Sequence, residues 1–114
     1  MHEYSIVQAL LEQCENHASA HNATKITKVV VKIGQYSGVE PHLLEVAFNT
    51  FKETTVCEGS DFVMNIQPLV IRCRQCGSLS TLEQPHYLCP SCESGDVSVE
   101  EGEEMYLMSL EMEE

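Results

Sequence analysis

Cys73-Arg-Gln-Cys76-Gly77 and Cys89-Pro90-Ser91-Cys92 are two C-x-x-C pairs with 12 residues between them, and they decide how the second half of this 114-residue chain folds. A divalent ion of tetrahedral preference needs four ligands at about 2.3 Å, and each short loop presents two sulfurs on one side of a tight turn. Gly77 and Pro90 are turn residues that let backbone N–H groups face the sulfurs and moderate the charge of four thiolates. With every position filled by protein, none is left for a catalytic water, so the spacing predicts a structural site at Cys73, Cys76, Cys89 and Cys92. Zinc leads its rivals, which are two disulfides or redox dithiols, and an iron centre of the rubredoxin type. Thiolate sites hold Zn(II) more tightly than Fe(II) on the Irving–Williams order, and structural zinc contributes roughly 10–16 kcal/mol in small modules. His86, close to Cys89, reads as a surface residue once four cysteines are available.

Around these pairs, from Val70 to about Val99, large apolar residues are too few for an independent core, so a bound metal must hold the segment together. Pro68 marks its start. Before it, Ile6, Val7, Leu10, Leu11, Cys14 and Ala18 recur at helical spacing, predicting a helix over about residues 4 to 20. Val29, Val31 and Ile33 alternate with Lys28, Val30 and Lys32 in a β-branched strand from Lys25 to Gly34. Pro41 suits a first helical turn, and Leu44, Ala47, Phe48 and Phe51 form a core stripe in a helix over about 41 to 54. Phe62, Met64 and Ile66 alternate in a further strand. Tyr106, Met108, Leu110 and Met112 form one side of a last strand, with Met105, Met108 and Met112 read as sheet core. The expected fold is α+β: two helices packed on a small three-stranded sheet, with an inserted zinc-ribbon module. The expected domains are 1–68 plus 104–114 and the ribbon 69–103.

Composition narrows the function. The formal charge is −12, from 18 acidic and 6 basic residues, which repels phosphate backbones and anionic lipid. No nucleic-acid or membrane partner is therefore expected, and the ribbon end, Glu93 to Glu114, carries nine acidic residues and no Lys or Arg. No apolar run exceeds four residues and the first basic residue is Lys25, so neither a spanning helix nor a basic leader is expected. Paired cysteines of this kind, with Cys14 and Cys57 alone in apolar surroundings as small core residues, point to a reducing, cytoplasmic setting. No nucleophile–base pair or open metal position suggests an enzyme.

Met1-His2-Glu3 is the second place where chemistry is legible. An α-amino group, the amide nitrogen of residue 2 and its imidazole close adjacent chelate rings around a metal able to displace the amide proton. Ni(II) and Cu(II) do this, and their tetragonal preference suits nitrogen donors. Glu3 stands within reach as a fourth donor. On spacing alone a solvated terminal histidine is the alternative. His17 and His21, at i and i+4, read as an exposed helix end, with a metal pair as the alternative.

The opening Met1-His2-Glu3-Tyr4-Ser5-Ile6, the strand Val29-Val30-Val31-Lys32-Ile33-Gly34, Ala47-Phe48-x-x-Phe51, the two C-x-x-C pairs and the closing Leu107-x-Ser109-Leu110-Glu111 together resemble the HypA/HybF family of hydrogenase nickel-insertion proteins. The resemblance spans the chain. It implies a nickel metallochaperone for [NiFe]-hydrogenase maturation, with Ni(II) as transient cargo and Zn(II) structural in the ribbon. Carried over by position, the nickel ligands are the Met1 amine, the His2 backbone nitrogen and imidazole, and Glu3, with Glu40 a further carboxylate. The implied partners are a nickel-handling GTPase and the immature hydrogenase large subunit. Some family members carry a His beside each zinc pair; here Ser78 and Glu93 occupy those neighbourhoods. A rubredoxin-like iron electron carrier and a zinc-ribbon interaction adaptor are the other two functions that the cysteine pairs alone admit.

Overall fold

Val7, Leu10, Leu11, Cys14 and Ala18 are all buried along one side of the helix His2–Ala20 (α1), while Gln8, Glu12, Gln13 and Glu15 face solvent. The strand Lys25–Gly34 (β1) buries Ile26, Val29, Val31 and Ile33, and Pro41–Phe51 forms the second helix (α2). The remaining strands are Asp61–Gln67 (β2), Leu69–Cys73 (β3), Leu79–Leu82 (β4), Val97–Glu101 (β5) and Met105–Glu113 (β6). The computed structural model describes residues 2–84 and 86–114; Met1, the side chain of His2 and Pro85 lie outside them. The architecture is α+β, with two three-stranded sheets of order β2-β1-β6 and β4-β3-β5.

The chain divides into two compact units. One comprises Met1–Lys32, Val39–Asn65 and Tyr106–Glu114; the other comprises Ile33–Gly38 and Ile66–Met105. In the first, α1 packs against α2. The Phe48 ring of α2 stacks on Phe62 of β2 with centroids 4.3 Å apart and planes 16° from parallel. Phe48 is fully buried, so Phe48→Ala removes a ring that its surroundings cannot refill. The expected loss is about 3–5 kcal/mol, read as a lower urea midpoint for the first unit.

Three features of this unit differ from the sequence expectation. Helix α2 ends at Phe51 rather than 54, because Lys52 caps it by donating its backbone N–H to the Phe48 carbonyl, and Thr54 then takes a left-handed φ of 65°. Phe51 is consequently a terminal residue, 44% exposed, with its ring 4.8 Å from that of Tyr4 instead of inside the core. In β6 the alternation slips phase. Met105 and Leu107 are half-buried, Met108 and Ser109 are both exposed, and Leu110 and Met112 are half-buried, so Tyr106 and Met108 do not join the core. Both side chains of that first stretch point away from the buried side, where Tyr106 receives the Lys32 ammonium 5.5 Å from its ring centre.

The second unit has β3 at its centre, antiparallel to β4 (Ile71 opposite Ser80) and to β5 (Ile71 opposite Val99). Among the described residues, Leu69, Ile71 and Leu82 form a buried apolar cluster in it, with Tyr36, Val97 and Val99 packed against them. The segment after Gly34 joins this unit through its backbone. Gln35 N–H donates to the Gln67 carbonyl and Tyr36 N–H to the Gly102 carbonyl, both at 2.8 Å, and the Tyr36 hydroxyl donates to the Glu83 carbonyl at 3.1 Å. Gly102 must be glycine: its φ is +110°, and a Cβ there would fall 2.6 Å from the Leu69 Cα.

Candidate metal centre

Two turns with the same backbone plan bring the four cysteine sulfurs together. In the first, Cys73 N–H donates to the Ser78 carbonyl at 3.0 Å and Gly77 N–H to the Cys73 carbonyl at 2.9 Å. In the second, Cys89 N–H donates to the Ser94 carbonyl at 2.9 Å and Glu93 N–H to the Cys89 carbonyl at 2.8 Å. The residue after the second cysteine is left-handed in both turns, Gly77 at φ 77° and Glu93 at φ 62°. Glycine takes this conformation freely; Glu93 holds it under steric opposition.

The Sγ atoms of Cys73, Cys76, Cys89 and Cys92 all lie within 4.8 Å of one another, with Cys73 and Cys92 at 3.5 Å and Cys76 and Cys89 at 3.6 Å. A tetrahedron with arms of about 2.3 Å has edges of about 3.8 Å, so the sulfurs stand where a four-thiolate ion would draw them. All six cysteines are free thiols, and sulfurs this far apart are not disulfide-bonded. Among the described residues, this is the one cluster of three or more His, Cys, Asp or Glu whose ligand atoms converge on a metal-sized space.

Hydrogen bonds make the four thiols unequal. The backbone N–H groups of Gln75 and Cys76 point at the Cys73 sulfur at 3.3 and 3.4 Å. The Ser78 hydroxyl lies 3.1 Å from the Cys76 sulfur and 3.5 Å from that of Cys89. That hydroxyl is the main reason both thiols are more acidic than usual; Cys89, aided by the Cys92 backbone N–H, falls to about 6. At Cys92 the Ser94 backbone N–H works downward, but the Cys73 sulfur and burial outweigh it and push the thiol up to about 12. Deprotonation, which metal ligation requires, is therefore easier than usual at Cys76 and Cys89. The Ser78 contact was not read from the sequence, where Ser78 figured only as the occupant of a family histidine position.

The two candidate carboxylates, Glu3 and Glu40, lie at the starts of the two helices. Met1 and the His2 side chain fall outside the described residues. Glu3, in the first turn of α1, accepts the Glu40 backbone N–H on its Oε2 at 3.4 Å. Glu40 precedes α2 as its N-cap, extended at φ −90° and ψ 113°, and its own Oε2 accepts the Leu43 N–H at 2.8 Å. Glu3 and Glu40, 37 residues apart in sequence, thus meet through a backbone-to-carboxylate contact, each near a helix N-terminus that favours negative charge. His17, His21 and His86 are exposed, while Cys14 and Cys57 are fully buried.

The family described as "Hydrogenase/urease nickel incorporation, metallochaperone, hypA" matches residues 1–112. A hydrogenase maturation factor HypA from Shewanella halifaxensis (strain HAW-EB4) is 52% identical over 114 residues, covering 100% of this chain and 99% of that one. Its counterpart from Aquifex aeolicus (strain VF5) is 53% identical over 113 residues, covering 99% and 98%. The solution structure of the Ni metallochaperone HypA from Helicobacter pylori superposes with a TM-score of 0.75 at 35% identity, over 97% of each chain.

Proposed function

Because the chain belongs to the HypA family of nickel-incorporation metallochaperones, we propose that it binds Ni(II) at its amino terminus and delivers it to the [NiFe]-hydrogenase large subunit. The nickel ligands are the Met1 amine, the His2 amide nitrogen and imidazole, and Glu3, with Glu40 adding a second carboxylate. The observation that supports this assignment is the Glu40 backbone N–H donating to the Glu3 carboxylate, which brings the start of α2 against the first turn of α1. Helix α1 begins at His2, and the first N–H groups of a helix have no intrahelical partner. Removing the His2 amide proton therefore breaks no helix hydrogen bond. The dipole at that helix end opposes a bare cation; the anionic amide and the carboxylates offset it.

Zn(II) is held structurally by Cys73, Cys76, Cys89 and Cys92, which leave it no open position, so the chain performs no catalysis there. The nickel end belongs to the domain 1–68 plus 104–114 and the sulfur cluster to the ribbon 69–103. The partners are a nickel-handling GTPase and the large-subunit precursor, met in the cytoplasm. No described helix is long and apolar enough to cross a membrane.

Nickel loading displaces protons from the amine and the amide and, at lower pH, from the imidazole. Reference values are about 7.7–8.0 for an α-amine and about 6.5 for His. Affinity is therefore fully developed above these values and is lost as the pH falls through them. Nickel titrations of the untagged chain at pH 8 and pH 6 are expected to show weaker binding at the lower pH, with zinc content unchanged. Equal affinities would contradict the ligand set.

A further inference from the structure

Ser78 and Ser94 occupy the same place in the two cysteine turns, each two residues after the second cysteine, and each accepts the N–H of the first cysteine on its carbonyl oxygen. Their hydroxyls do different things. Ser94 Oγ accepts the Asp96 backbone N–H at 3.0 Å and so completes its own loop. Ser78 Oγ is aimed at sulfur, 3.1 Å from Cys76 of its own turn and 3.5 Å from Cys89 of the other. A metal-bound sulfur carries no proton, so at a loaded site the hydroxyl must be the donor, its single proton shared between the two sulfurs.

We propose that the Ser78 hydroxyl is a positioning donor to the Cys76 and Cys89 thiolates, clasping the two turns across the ion and slowing its release. This rests on the assignment of zinc to the four cysteines. Four thiolates give the centre a net negative charge, and each is a target for a proton or for a competing metal. A neutral donor between two of them withdraws that charge without becoming a ligand. Ser78 also links the turns at the sulfurs by side chain: its backbone belongs to the first, and its hydroxyl reaches a sulfur of the second. Gly77 makes this possible, since its left-handed φ of 77° turns the chain so that Ser78 follows directly beside the sulfurs.

The pseudo-equivalent serine supplies the control. The zinc-loaded full chain, with Ser78→Ala, Ser78→Thr and Ser94→Ala, is challenged with excess chromophoric chelator, and zinc release is followed. Each chain is also prepared with Co(II) to read the sulfur-to-metal charge-transfer band. Ser78→Ala is expected to bind one metal per chain but to release zinc about 10–100-fold faster, as loss of an outer-shell partner does. Its cobalt band is expected at lower energy, because the sulfurs are then richer in charge. Ser78→Thr, which keeps the hydroxyl, restores both readouts, and Ser94→Ala resembles the parent chain. Parent-like release and an unmoved band in Ser78→Ala overturn the clasp, as does an equal effect of Ser94→Ala. A parent chain without bound zinc overturns the zinc assignment itself and the clasp with it, an outcome distinct from zinc that is bound and indifferent to Ser78.

Discussion

Cys73→Ala is expected to abolish zinc binding and unfold the second unit while the first stays folded. Cys73 is the last residue of the central strand β3 and is buried, with two backbone N–H groups directed at its sulfur. Without it, three sulfurs must hold an ion in a segment whose apolar cluster amounts to Leu69, Ile71 and Leu82. Burying three aliphatic side chains yields about 1.5–3 kcal/mol each. That is less than the backbone entropy lost on ordering the surrounding segment. Structural zinc, at roughly 10–16 kcal/mol, is the largest single term available to shift that balance. Amide resonances of residues 69–101 should collapse to unfolded positions, whereas those around Phe48 and Phe62 should stay dispersed. Cys57→Ala, in the core of the first unit, should keep its zinc. A dispersed, metal-free second unit in Cys73→Ala would show that the strands hold themselves.

The second large effect concerns the chain end. A single glycine placed before Met1 moves the free amine away from the His2 imidazole and breaks the linked chelate rings. Acetylation of the amine removes the donor outright. Either change should weaken nickel binding by more than the roughly 10–100-fold that loss of an outer-shell partner costs. His2→Ala, which deletes the imidazole, should do the same. Zinc content and the urea midpoint should not move, because the first described helical residues lie at the edge of α1, away from its buried Val7, Leu10 and Leu11. Calorimetric titration of the extended and authentic chains with Ni(II) is the direct comparison. Unchanged affinity in the extended chain would remove the amine from the ligand set.

Periodicity made the larger elements legible and failed where local geometry overrides it. The stripes of α1 and β1 were clear because Val7, Leu10, Leu11, Cys14, Ala18 and Val29, Val31, Ile33 each keep one period over several repeats. The end of α2 was not, since its stop is a left-handed Thr54 beyond the Lys52 cap and carries no Gly or Pro. Nor was the inner face of β6, where exposed Met108 and Ser109 break the alternation in mid-strand. Strands β4 and β5, four and five residues rich in Ser, Thr and Glu, have apolar patterns too short to announce them, Leu79 and Leu82 in one and Val97 and Val99 in the other. They exist because β3 lies between them.

The sites divide similarly. Four cysteines at fixed spacing announce their convergence, since the turns that present them are local. The proximity of Glu3 to Glu40 depends on how two helices pack, and came only from resemblance until the structure placed one carboxylate on the other's N–H. Ser78 was invisible as a sulfur partner because nothing in a serine's position after C-x-x-C-G says which way its hydroxyl turns; Ser94 stands in the matching place and turns elsewhere.

The most direct test is nickel X-ray absorption on the authentic chain, untagged, zinc-loaded and carrying one equivalent of Ni(II). A first shell of nitrogen and oxygen only, with zinc still on four sulfurs at its own edge, is the predicted result. Sulfur in the nickel shell, with zinc displaced, would place the cargo among Cys73, Cys76, Cys89 and Cys92 and contradict binding at the amino terminus.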